Sequence, residues 1–372
     1  MKIAIVRKKY SLAAGGAERD TVLLARELSR MGHEVHLFAN IWDEDPGIRF
    51  HHVPMLRTSP GKNLSFALYS HKRLSKMKFD VIQSMDRIWY QDIFRVSDGI
   101  NPVQLIQRYP NPFIRKIKSV GPRRLVLSYL EKRIFLRGGC RVILTISELI
   151  KNHIIEHYHV SPEKIVVIYN SVDTSRFNLG LRENYRTSVR KQHGVGESET
   201  VLLFISNNFK LKGLRVILEA MAMADKSYRL FVIGNDNPDP YVRWAARNGM
   251  DKQLIFIGPL KEVEKYYGAA DIFVLPTAYD AFGNVCLEAM ACGLPVITTR
   301  TAGAAELIRD HENGYVLKNR NPEELAGRLA ALESESVRSK IGATNASEAA
   351  RYTMEQHIAE LIELYDKIRI EP

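Results

Sequence analysis

Short apolar runs alternate with amphipathic segments along the chain. Residues 3–6 are typical of a buried strand. After a glycine-containing loop, residues 17–31 carry apolar side chains at helical spacing, and Gly32 is placed to end that helix. Residues 35–39 return to a strand pattern. A strand, a helix and a strand within about 40 residues predict a parallel βαβ unit.

The same alternation continues through the rest of the sequence. Helices are predicted over 147–158, with Ser147 as N-cap, over 216–224 and over 284–290. The other predicted strands are 80–84, 93–96, 142–146, 165–168, 201–205, 229–233, 253–257, 272–275 and 295–298. This rhythm predicts an α/β protein of two doubly wound domains, with the boundary in the polar stretch 177–199. Ligands of such sheets bind beyond the carboxyl ends of the strands.

The composition excludes several classes of protein. Of the 372 residues, 45% are hydrophobic and 26% are charged, which excludes a disordered chain, a collagen-like repeat and a disulfide scaffold. Apolar runs stay far below the roughly 18 residues of a membrane-spanning helix, and residues 1–9 lack the apolar segment of a secretory signal. Cys140, Cys286 and Cys292 are far apart and lack metal-ligand spacing, so we expect a reducing, cytoplasmic location.

The positive charge is concentrated in the first half of the chain. Residues 1–180 contain 29 Lys and Arg against 16 Asp and Glu, whereas the remainder contains 24 against 26. Such an asymmetry is typical of one domain that meets a polyanion. The candidates are nucleic acid, an anionic membrane and a phosphorylated glycolipid.

The densest basic segment spans residues 108–137, where Glu131 is the one acidic residue. Aromatic and aliphatic residues are interleaved with the cations, which is typical of a surface that lies on an anionic bilayer. The alternative is an amphipathic core helix with a solvated basic face. The cations assigned to this membrane or acceptor surface are Arg115, Lys116, Lys118, Arg123, Arg124, Lys132 and Arg133.

Two loops are candidate anion sites. Gly15-Gly16 precedes the first predicted helix, where glycines let a phosphate approach the backbone and the helix N-terminus supplies N–H groups; a tight turn without ligand is the alternative. Lys210 and Lys212 follow the strand at 201–205 and suit a diphosphate, unless they form a solvated basic loop. The G-x-G-x-x-G pattern of a nicotinamide dinucleotide site is absent from the sequence.

The most specific signal is the segment 276–297. A predicted strand is followed by a loop with Asp280 and Gly283, and a helix opens at Asn284 with Glu288 one turn in. Gly283 permits close backbone approach, and the helix N-terminus presents N–H groups to an anion. The two carboxylates can each hold hydroxyls of one extended ligand. Alternatively, Asp280 is a helix N-terminal charge and Glu288 a solvated helix residue.

This segment resembles the Glu-x7-Glu signature of the retaining glycosyltransferases of family 4, which have the GT-B fold. The other matching positions are 15–19, 147–148, 164–173, Phe177, 255–258, Tyr266, 270–271, Pro276, Gly303, Glu306 and Gly314. The resemblance covers most of the chain and implies two facing Rossmann-like domains with an interdomain cleft. It implies an acceptor-binding domain over 1–180, a nucleotide-sugar-binding domain over 181–350, and a C-terminal helix within 351–372 that packs back on the first.

The resemblance also implies roles for residues. Glu288 would bind the nucleotide ribose, Asp280 the transferred sugar and Lys212 the leaving diphosphate, which makes Asp280 and Lys212 catalytic candidates. The implied donor-binding set is Gly15, Gly16, Lys210, Lys212, Gly258, Leu260, Asp280, Phe282, Gly283, Asn284, Val285 and Glu288.

Three positions depart from the family pattern. Asp280 is one carbon shorter than the usual Glu. Residues 206–208 replace a stretch that often carries an Arg, so Lys210 is expected to substitute for it. Ser171 stands where the family usually has a Gly.

The implied reaction moves a hexose, expected to be glucose, from a nucleoside diphosphate sugar, expected to be UDP-linked. The acceptor would be a lipopolysaccharide core or another lipid-linked glycan, reached from the anionic inner leaflet to which the protein binds peripherally. Asp98, after the predicted strand at 93–96, is the candidate that receives or orients the acceptor proton, with a turn Asp before Gly99 as the alternative.

No cofactor is expected, and no metal, because lysine and peptide amides offset the departing charge. No nucleic acid is expected as a partner, because the sequence shows no module with base-stacking aromatics. The eleven histidines are scattered, with His51-His52 expected as a solvated pair in a loop. Other donors remain open: GDP-mannose, UDP-galactose and UDP-N-acetylglucosamine. Other classes also remain open: a different two-domain α/β enzyme, such as an epimerase or a dehydrogenase, and a non-catalytic basic protein that binds polyanions.

Overall fold

The computed structural model describes residues 1–11, 16–224 and 227–370, and the chain divides into two compact units. Unit 1 is Met1–Tyr169 with His357–Pro372, and unit 2 is Asn170–Gln356. The chain thus changes unit before residue 180. The polar stretch in which the boundary was predicted forms the helix Gly180–Gln192, which packs on Glu264–Ala269 within unit 2.

Unit 1 is an α/β unit around a parallel sheet. Its strands are β1 (Lys2–Val6), β2 (Lys9–Tyr10), β3 (Glu34–Ala39), β4 (Ile41–Trp42), β5 (Ile48–His52), β6 (Val81–Ser84), β7 (Ile93–Val96), β8 (Val142–Thr145) and β9 (Ile165–Val167). Its helices are α1 (Gly16–Arg30), α2 (Ser59–Leu74), α3 (Asn101–Arg108), α4 (Pro112–Ser119), α5 (Pro122–Leu136) and α6 (Glu148–Tyr158). The seven-stranded sheet has the order β5-β3-β1-β6-β7-β8-β9, and β2 pairs with β4 separately.

Local sequence signals explain the ends of several elements of unit 1. Gly32, which follows α1, has φ +85°, a conformation that glycine adopts readily. Ser147 caps α6, and its side chain accepts a hydrogen bond from the backbone N–H of Ile150. Residues 3–6 of β1 are fully buried, since helices cover both faces of a parallel sheet.

Two histidines predicted in a loop lie instead in β5. His51 stacks between His36 and Phe38, with ring centroids 5.0 and 4.5 Å away, while His52 at the strand end is exposed. The prediction of a solvated pair is therefore wrong for His51. Burial lowers the pKa of its imidazole.

Unit 2 repeats the architecture with a six-stranded parallel sheet. Its strands are β10 (Thr200–Ile205), β11 (Tyr228–Ile233), β12 (Leu254–Gly258), β13 (Ile272–Leu275), β14 (Val296–Thr299) and β15 (Gly314–Leu317). The helices from here on are α7 (Gly180–Gln192), α8 (Phe209–Lys212), α9 (Leu214–Met223), α10 (Asp239–Arg247), α11 (Glu264–Ala269), α12 (Asn284–Ala291), α13 (Pro322–Ala330), α14 (Glu335–Ala349) and α15 (Met354–Ile370). The strand order is β12-β11-β10-β13-β14-β15, so the prediction of two doubly wound α/β domains is confirmed.

The last helix, α15, begins in unit 2 and continues into unit 1. Its unit 1 part is anchored by polar contacts: the Tyr365 hydroxyl donates to Gln83 Oε1 at 2.9 Å, and Arg141 donates to the carbonyl of Ile368 at 2.9 Å. Within the described ranges, none of the helices has the length and apolar character needed to cross a bilayer.

The strand order of unit 2 reverses between β10 and β13. From β10 the chain adds β11 and β12 on one side, and from β13 it adds β14 and β15 on the other. The loops that follow β10 and β13 therefore lie side by side at the carboxyl edge, the place where doubly wound sheets bind ligands. The N–H of Ala278 donates to the carbonyl of Leu211 across these loops, at 2.8 Å.

Candidate active site

The loop after β10 forms the single-turn helix α8, whose position is fixed by two hydrogen bonds and by one close backbone approach. The Asn208 side chain accepts from the N–H of Leu211, and the N–H of buried Phe209 donates to Asp236 Oδ2 at 2.7 Å. Gly213 ends the turn at φ +87°, where a Cβ would lie 2.2 Å from the carbonyl oxygen of Pro276. Only glycine fits there, and the close approach fixes Lys212 beside the loop that follows β13.

Lys212 and Asp280 form an ion pair between these two loops. Lys212 Nζ lies 2.5 Å from Asp280 Oδ2 and 3.1 Å from the carbonyl oxygen of Tyr279, and both charged side chains are about four-fifths buried. The backbone of Asp280 is fixed in turn: its N–H donates to Thr301, and its carbonyl accepts from Gly303. Loops after β10, β13 and β14 thus converge on one lysine and one carboxylate.

Helix α12 begins directly beside this pair. Gly283 precedes it at φ +95°, and a Cβ there would lie 3.4 Å from Asp280 Oδ2. The N-cap residue, Gly283, has no side chain with which to cap the helix, and the first turn of a helix has backbone N–H groups without partners in the helix itself. The buried side chain of Asn170 donates from Nδ2 to Asn284 Oδ1 at 2.7 Å, which orients the first residue of the helix.

Glu288 lies one turn into α12 and is half-buried. Its Oε2 accepts a 2.7 Å hydrogen bond from the hydroxyl of Tyr267. The buried thiol of Cys286 senses both carboxylates of the segment: burial, and then the charges of Asp280 and Glu288, raise the pKa of this thiol. The charges of Asp280 and Glu288, the two acidic residues predicted as a pair, therefore both act on Cys286, which stays a neutral thiol.

The other donor-binding candidates of unit 2 lie along the same sheet edge. Gly258 ends β12 at φ +83°, and Leu260 just beyond it is 40% exposed. Phe282 is 1% exposed, so its ring offers no surface to a ligand, and Val285 is half-buried in the first turn of α12. Lys210 is exposed and lies two residues from Lys212, a spacing that places the two side chains on different sides of the turn.

The unit 1 candidates have simpler surroundings. Gly15 lies outside the described residues, and Gly16 is the first residue of α1. Asp98 follows β7 with its side chain 65% exposed and Oδ1 3.8 Å from Arg87. The next residue, Gly99, has φ +80°, the geometry expected of a turn Asp before glycine.

The basic surface divides into two helices of different character. None of the residues of α4 is buried, and its apolar side chains Phe113, Ile114 and Ile117 are 73%, 45% and 55% exposed. Helix α5 instead buries an apolar face that includes Leu130 and Ile134. The core-helix alternative thus describes α5 but not α4. Of the predicted cations, Lys116, Lys118, Arg123 and Lys132 are exposed, and Arg115, Arg124 and Arg133 are half-buried.

Three residues of the site were missed by the sequence analysis. Tyr267 holds Glu288, Asn170 holds Asn284, and Asp236 holds the backbone of α8. Asp236 follows β11 in the loop 234–238, and a polar residue after a buried strand was a usable signal. Asn170 lies in the segment 164–173 that matches the family pattern, but its contact with α12 joins elements distant in sequence, as does that of Tyr267, and no local pattern predicts either contact.

Comparison with known proteins places the chain among glycosyltransferases. The model for glycosyl transferases group 1 matches residues 186–367, and the model for glycosyltransferase family 4 matches residues 14–176. The lipopolysaccharide glucosyltransferase WaaG of Escherichia coli strain K12 is 26% identical over 324 residues, which cover 85% of each chain.

Solved structures share the fold. The crystal structure of WaaG, a glycosyltransferase involved in lipopolysaccharide biosynthesis, superposes with a TM-score of 0.80 at 23% identity, over 99% of this chain and 98% of that chain. The Anabaena protein Alr3699/HepE in complex with UDP and glucose superposes with a TM-score of 0.73 at 18% identity, over 98% and 99% of the respective chains.

The two family models adjoin and together span nearly the whole chain, and the two parallel-sheet units agree with the superposed structures. The predictions of the family and of an enzyme are confirmed, and a non-catalytic polyanion-binding protein is excluded. The chain therefore belongs to the group 1, family 4 glycosyltransferases, retaining enzymes of the GT-B fold that use nucleotide-sugar donors.

Proposed function

We propose that this enzyme transfers glucose from UDP-glucose to a lipopolysaccharide core or another lipid-linked saccharide. The observation that carries the proposal is the Lys212–Asp280 pair beside the N-terminus of α12, a site that combines an ammonium group and a carboxylate with the start of a helix. The choice of glucose and UDP is supported by two relatives, a glucosyltransferase by name and a protein solved with UDP and glucose.

Lys212 acts on the departing diphosphate. An ammonium group carries three N–H donors, and Asp280 and the carbonyl of Tyr279 take two of them. In this proposal the third donates to a phosphate oxygen, and the N-terminus of α12 adds backbone N–H groups and a partial positive charge. Glycosyl transfer passes through an oxocarbenium-like transition state in which the leaving group gains negative charge, so these groups stabilise it most at that point.

Glu288 and Asp280 recognise the donor at its two ends. Glu288 accepts hydrogen bonds from the ribose hydroxyls, and Asp280 accepts from hydroxyls of the transferred sugar. Asp280 is shorter than Glu, but its rigid backbone and its bond to Lys212 compensate by fixing the carboxylate. Gly258 and Leu260, at the end of β12 beyond the switch point, face the base in this proposal.

The reaction proceeds without a divalent cation in this proposal, because Lys212 and the helix N-terminus supply the charge that a metal would otherwise supply. Turnover of the purified enzyme should be unchanged in excess chelator. Loss of transfer in chelator, with recovery on adding Mg²⁺ or Mn²⁺, would contradict the proposal.

A thermal-shift panel tests the choice of donor. Samples contain UDP-glucose, UDP-galactose, UDP-N-acetylglucosamine or GDP-mannose, and a ligand at about 100 times its dissociation constant stabilises by ~2.7 kcal/mol. We expect the largest shift with UDP-glucose, and the shift should disappear in Glu288→Ala. A panel in which only GDP-mannose stabilises the enzyme would replace the proposed donor. Hydrolysis or epimerisation of the donor without any acceptor would point instead to a different reaction.

The acceptor is reached at a membrane in this proposal. Helix α4 exposes apolar side chains and the cations Lys116 and Lys118 together, as expected of a helix that lies in the headgroup region of an anionic bilayer. A peripheral position on the cytoplasmic face of the inner membrane would bring the enzyme to lipid-linked saccharides while the donor arrives from solution.

A further inference from the structure

Tyr267 reaches the candidate site from a helix that otherwise lies behind it. It belongs to α11 and is 1% exposed. Its hydroxyl lies 2.7 Å from Glu288 Oε2 and 3.3 Å from the carbonyl oxygen of Val285, both on α12. Because the ring is buried and offers no surface to a ligand, Tyr267 can affect ligand binding through the hydrogen bond of its hydroxyl to Glu288.

The ring of Tyr267 is clamped by two aromatic neighbours. Phe177 packs edge-on with ring centroids 5.5 Å apart, and Phe273 of β13 stacks at 6.0 Å. The preceding residue, Arg176, also holds α11 in place, because it donates two hydrogen bonds to Glu264 at 3.0 and 2.7 Å. The hydroxyl position is therefore set by the sheet and by the segment that opens unit 2, not by the exposed surface of α12.

A clamped hydroxyl matters for a glutamate because the side chain has three rotatable bonds and fixing it costs conformational entropy. A hydrogen bond from a neutral donor to a carboxylate is short and strong. Burial, and then the charge of Glu288, raise the pKa of Tyr267 well above 10, so the phenol stays protonated and remains a donor. One carboxylate oxygen is thus pinned, which fixes the direction of the whole carboxylate.

We infer that Tyr267 is a positioning residue that aims the Glu288 carboxylate at the donor ribose and so sets the preference for ribose over deoxyribose donors. The inference rests on the proposed role of Glu288. A site built to hydrogen-bond a hydroxyl rejects the analogue that lacks it. That rejection requires a fixed carboxylate, since a mobile one can turn away from a missing hydroxyl.

The test compares Tyr267→Phe with Tyr266→Phe. Tyr266 is the neighbouring residue of the same helix, is 6% exposed, and pairs its hydroxyl with His193 Nε2 at 3.1 Å, so its variant loses a hydrogen-bonded hydroxyl of a buried tyrosine without touching Glu288. Steady-state kinetics are measured for the nucleotide-sugar donor with ribose and with 2′-deoxyribose. The wild type should favour the ribose donor in kcat/KM by roughly 10- to 100-fold, the range of one hydrogen bond to a charged group.

Tyr267→Phe should lower this preference about tenfold through a higher KM for the ribose donor, with kcat changed by no more than about twofold. Tyr266→Phe should keep the wild-type preference. Equal preference in the two variants would overturn the inference. A wild type that does not discriminate, with Glu288→Ala equally indifferent, would instead overturn the proposed role of Glu288.

A double-mutant cycle supplies a second measurement that does not depend on stability. In a Glu288→Ala background, adding Tyr267→Phe should leave donor affinity unchanged, because the hydroxyl has lost the group through which it acts. A further loss as large as that in the wild-type background would show that Tyr267 acts through packing alone and would overturn the inference.

Discussion

Nζ of Lys212 lies 2.5 Å from Oδ2 of Asp280, across the loops that follow two neighbouring strands of one sheet. The pair forms because the strand order reverses between β10 and β13, which brings both loops to the same edge. Asp280 therefore orients Lys212 before any ligand arrives. A preorganised cation stabilises a developing charge without reorganisation, which is the condition for effective electrostatic catalysis.

Replacement of Lys212 tests this arrangement. Lys212→Ala should lower kcat by roughly 10²–10³, because losing one charge-stabilising contact in a transition state costs ~2.7–4 kcal/mol. The control is Lys252→Ala, which removes an exposed lysine that precedes β12, outside the candidate site, and should stay within about threefold of wild type. Equal losses in both variants would show that the unit contributes its total charge rather than one aimed ammonium group.

The hydrogen bond from Asn170 to Asn284 gives a second prediction. Asn170→Ala removes the bond and leaves the first residue of α12 less well oriented, so the KM for the donor should rise roughly three- to tenfold, the range of one net hydrogen bond. Steady-state kinetics with varied donor measure this effect.

Ser171→Ala is the matched control for Asn170→Ala, since Ser171 is the next residue and its hydroxyl donates to Met354 Sδ, at 3.7 Å, and not to α12. Its donor KM should match wild type. A drop in melting temperature for Asn170→Ala with an unchanged donor KM would mean that the bond only stabilises the fold.

The parts of the site that the sequence predicted are those with a local signal. Lys212, Asp280 and Gly283 each lie in the loop or turn that follows a buried strand, and the carboxyl ends of parallel strands are where ligands bind. The N-cap Ser147 was predictable for the same reason, because a capping side chain bonds to a backbone group three residues away.

The parts that could not be predicted depend on packing between distant segments. Tyr267 and Glu288 are on different helices, and only the register of α11 against α12 brings their side chains together. His51 was expected in a loop because His-His carries no strand signal, yet pairing of β5 with β3 places it between two rings. Tertiary context overrides a weak local preference at His51, and at Tyr267 it creates a contact that no local preference predicts.

A third prediction concerns pH and stability through His357, which is 6% exposed. Its Nδ1–H donates to the carbonyl of Tyr169 at 2.7 Å, and Arg95 lies 3.4 Å from Nε2, with Tyr365 and Asp20 also acting on the Arg95 charge. Burial, and then Arg95, lower the pKa of His357 to about 3. The unfolded chain binds this proton near pH 6.5, so its contribution to stability is present above that pH and is lost as the pH falls.

The free energy of unfolding of wild type can be measured with denaturant at each pH. His357 alone should make it about 2 kcal/mol lower at about pH 5 than at neutral pH. His357→Gln cannot titrate and should show a flatter dependence over this interval. His311→Gln, at an exposed position, should keep the wild-type slope. An unchanged slope in His357→Gln would show that this imidazole is protonated in the fold.

Membrane binding through α4 is the fourth prediction. Lys116→Glu combined with Lys118→Glu should weaken binding to anionic vesicles by roughly 30-fold or more, because each near-surface cation contributes about 1 kcal/mol.

The control is Lys318→Glu combined with Lys340→Glu, which makes the same change in net charge at two exposed positions of unit 2. Flotation with anionic and with zwitterionic vesicles measures both. Because α4 buries none of its residues, the first pair should leave the melting temperature unchanged, and any lost binding reports on the surface itself. Equal loss in the two pairs, or binding that ignores lipid charge, would mean that α4 does not contact the bilayer.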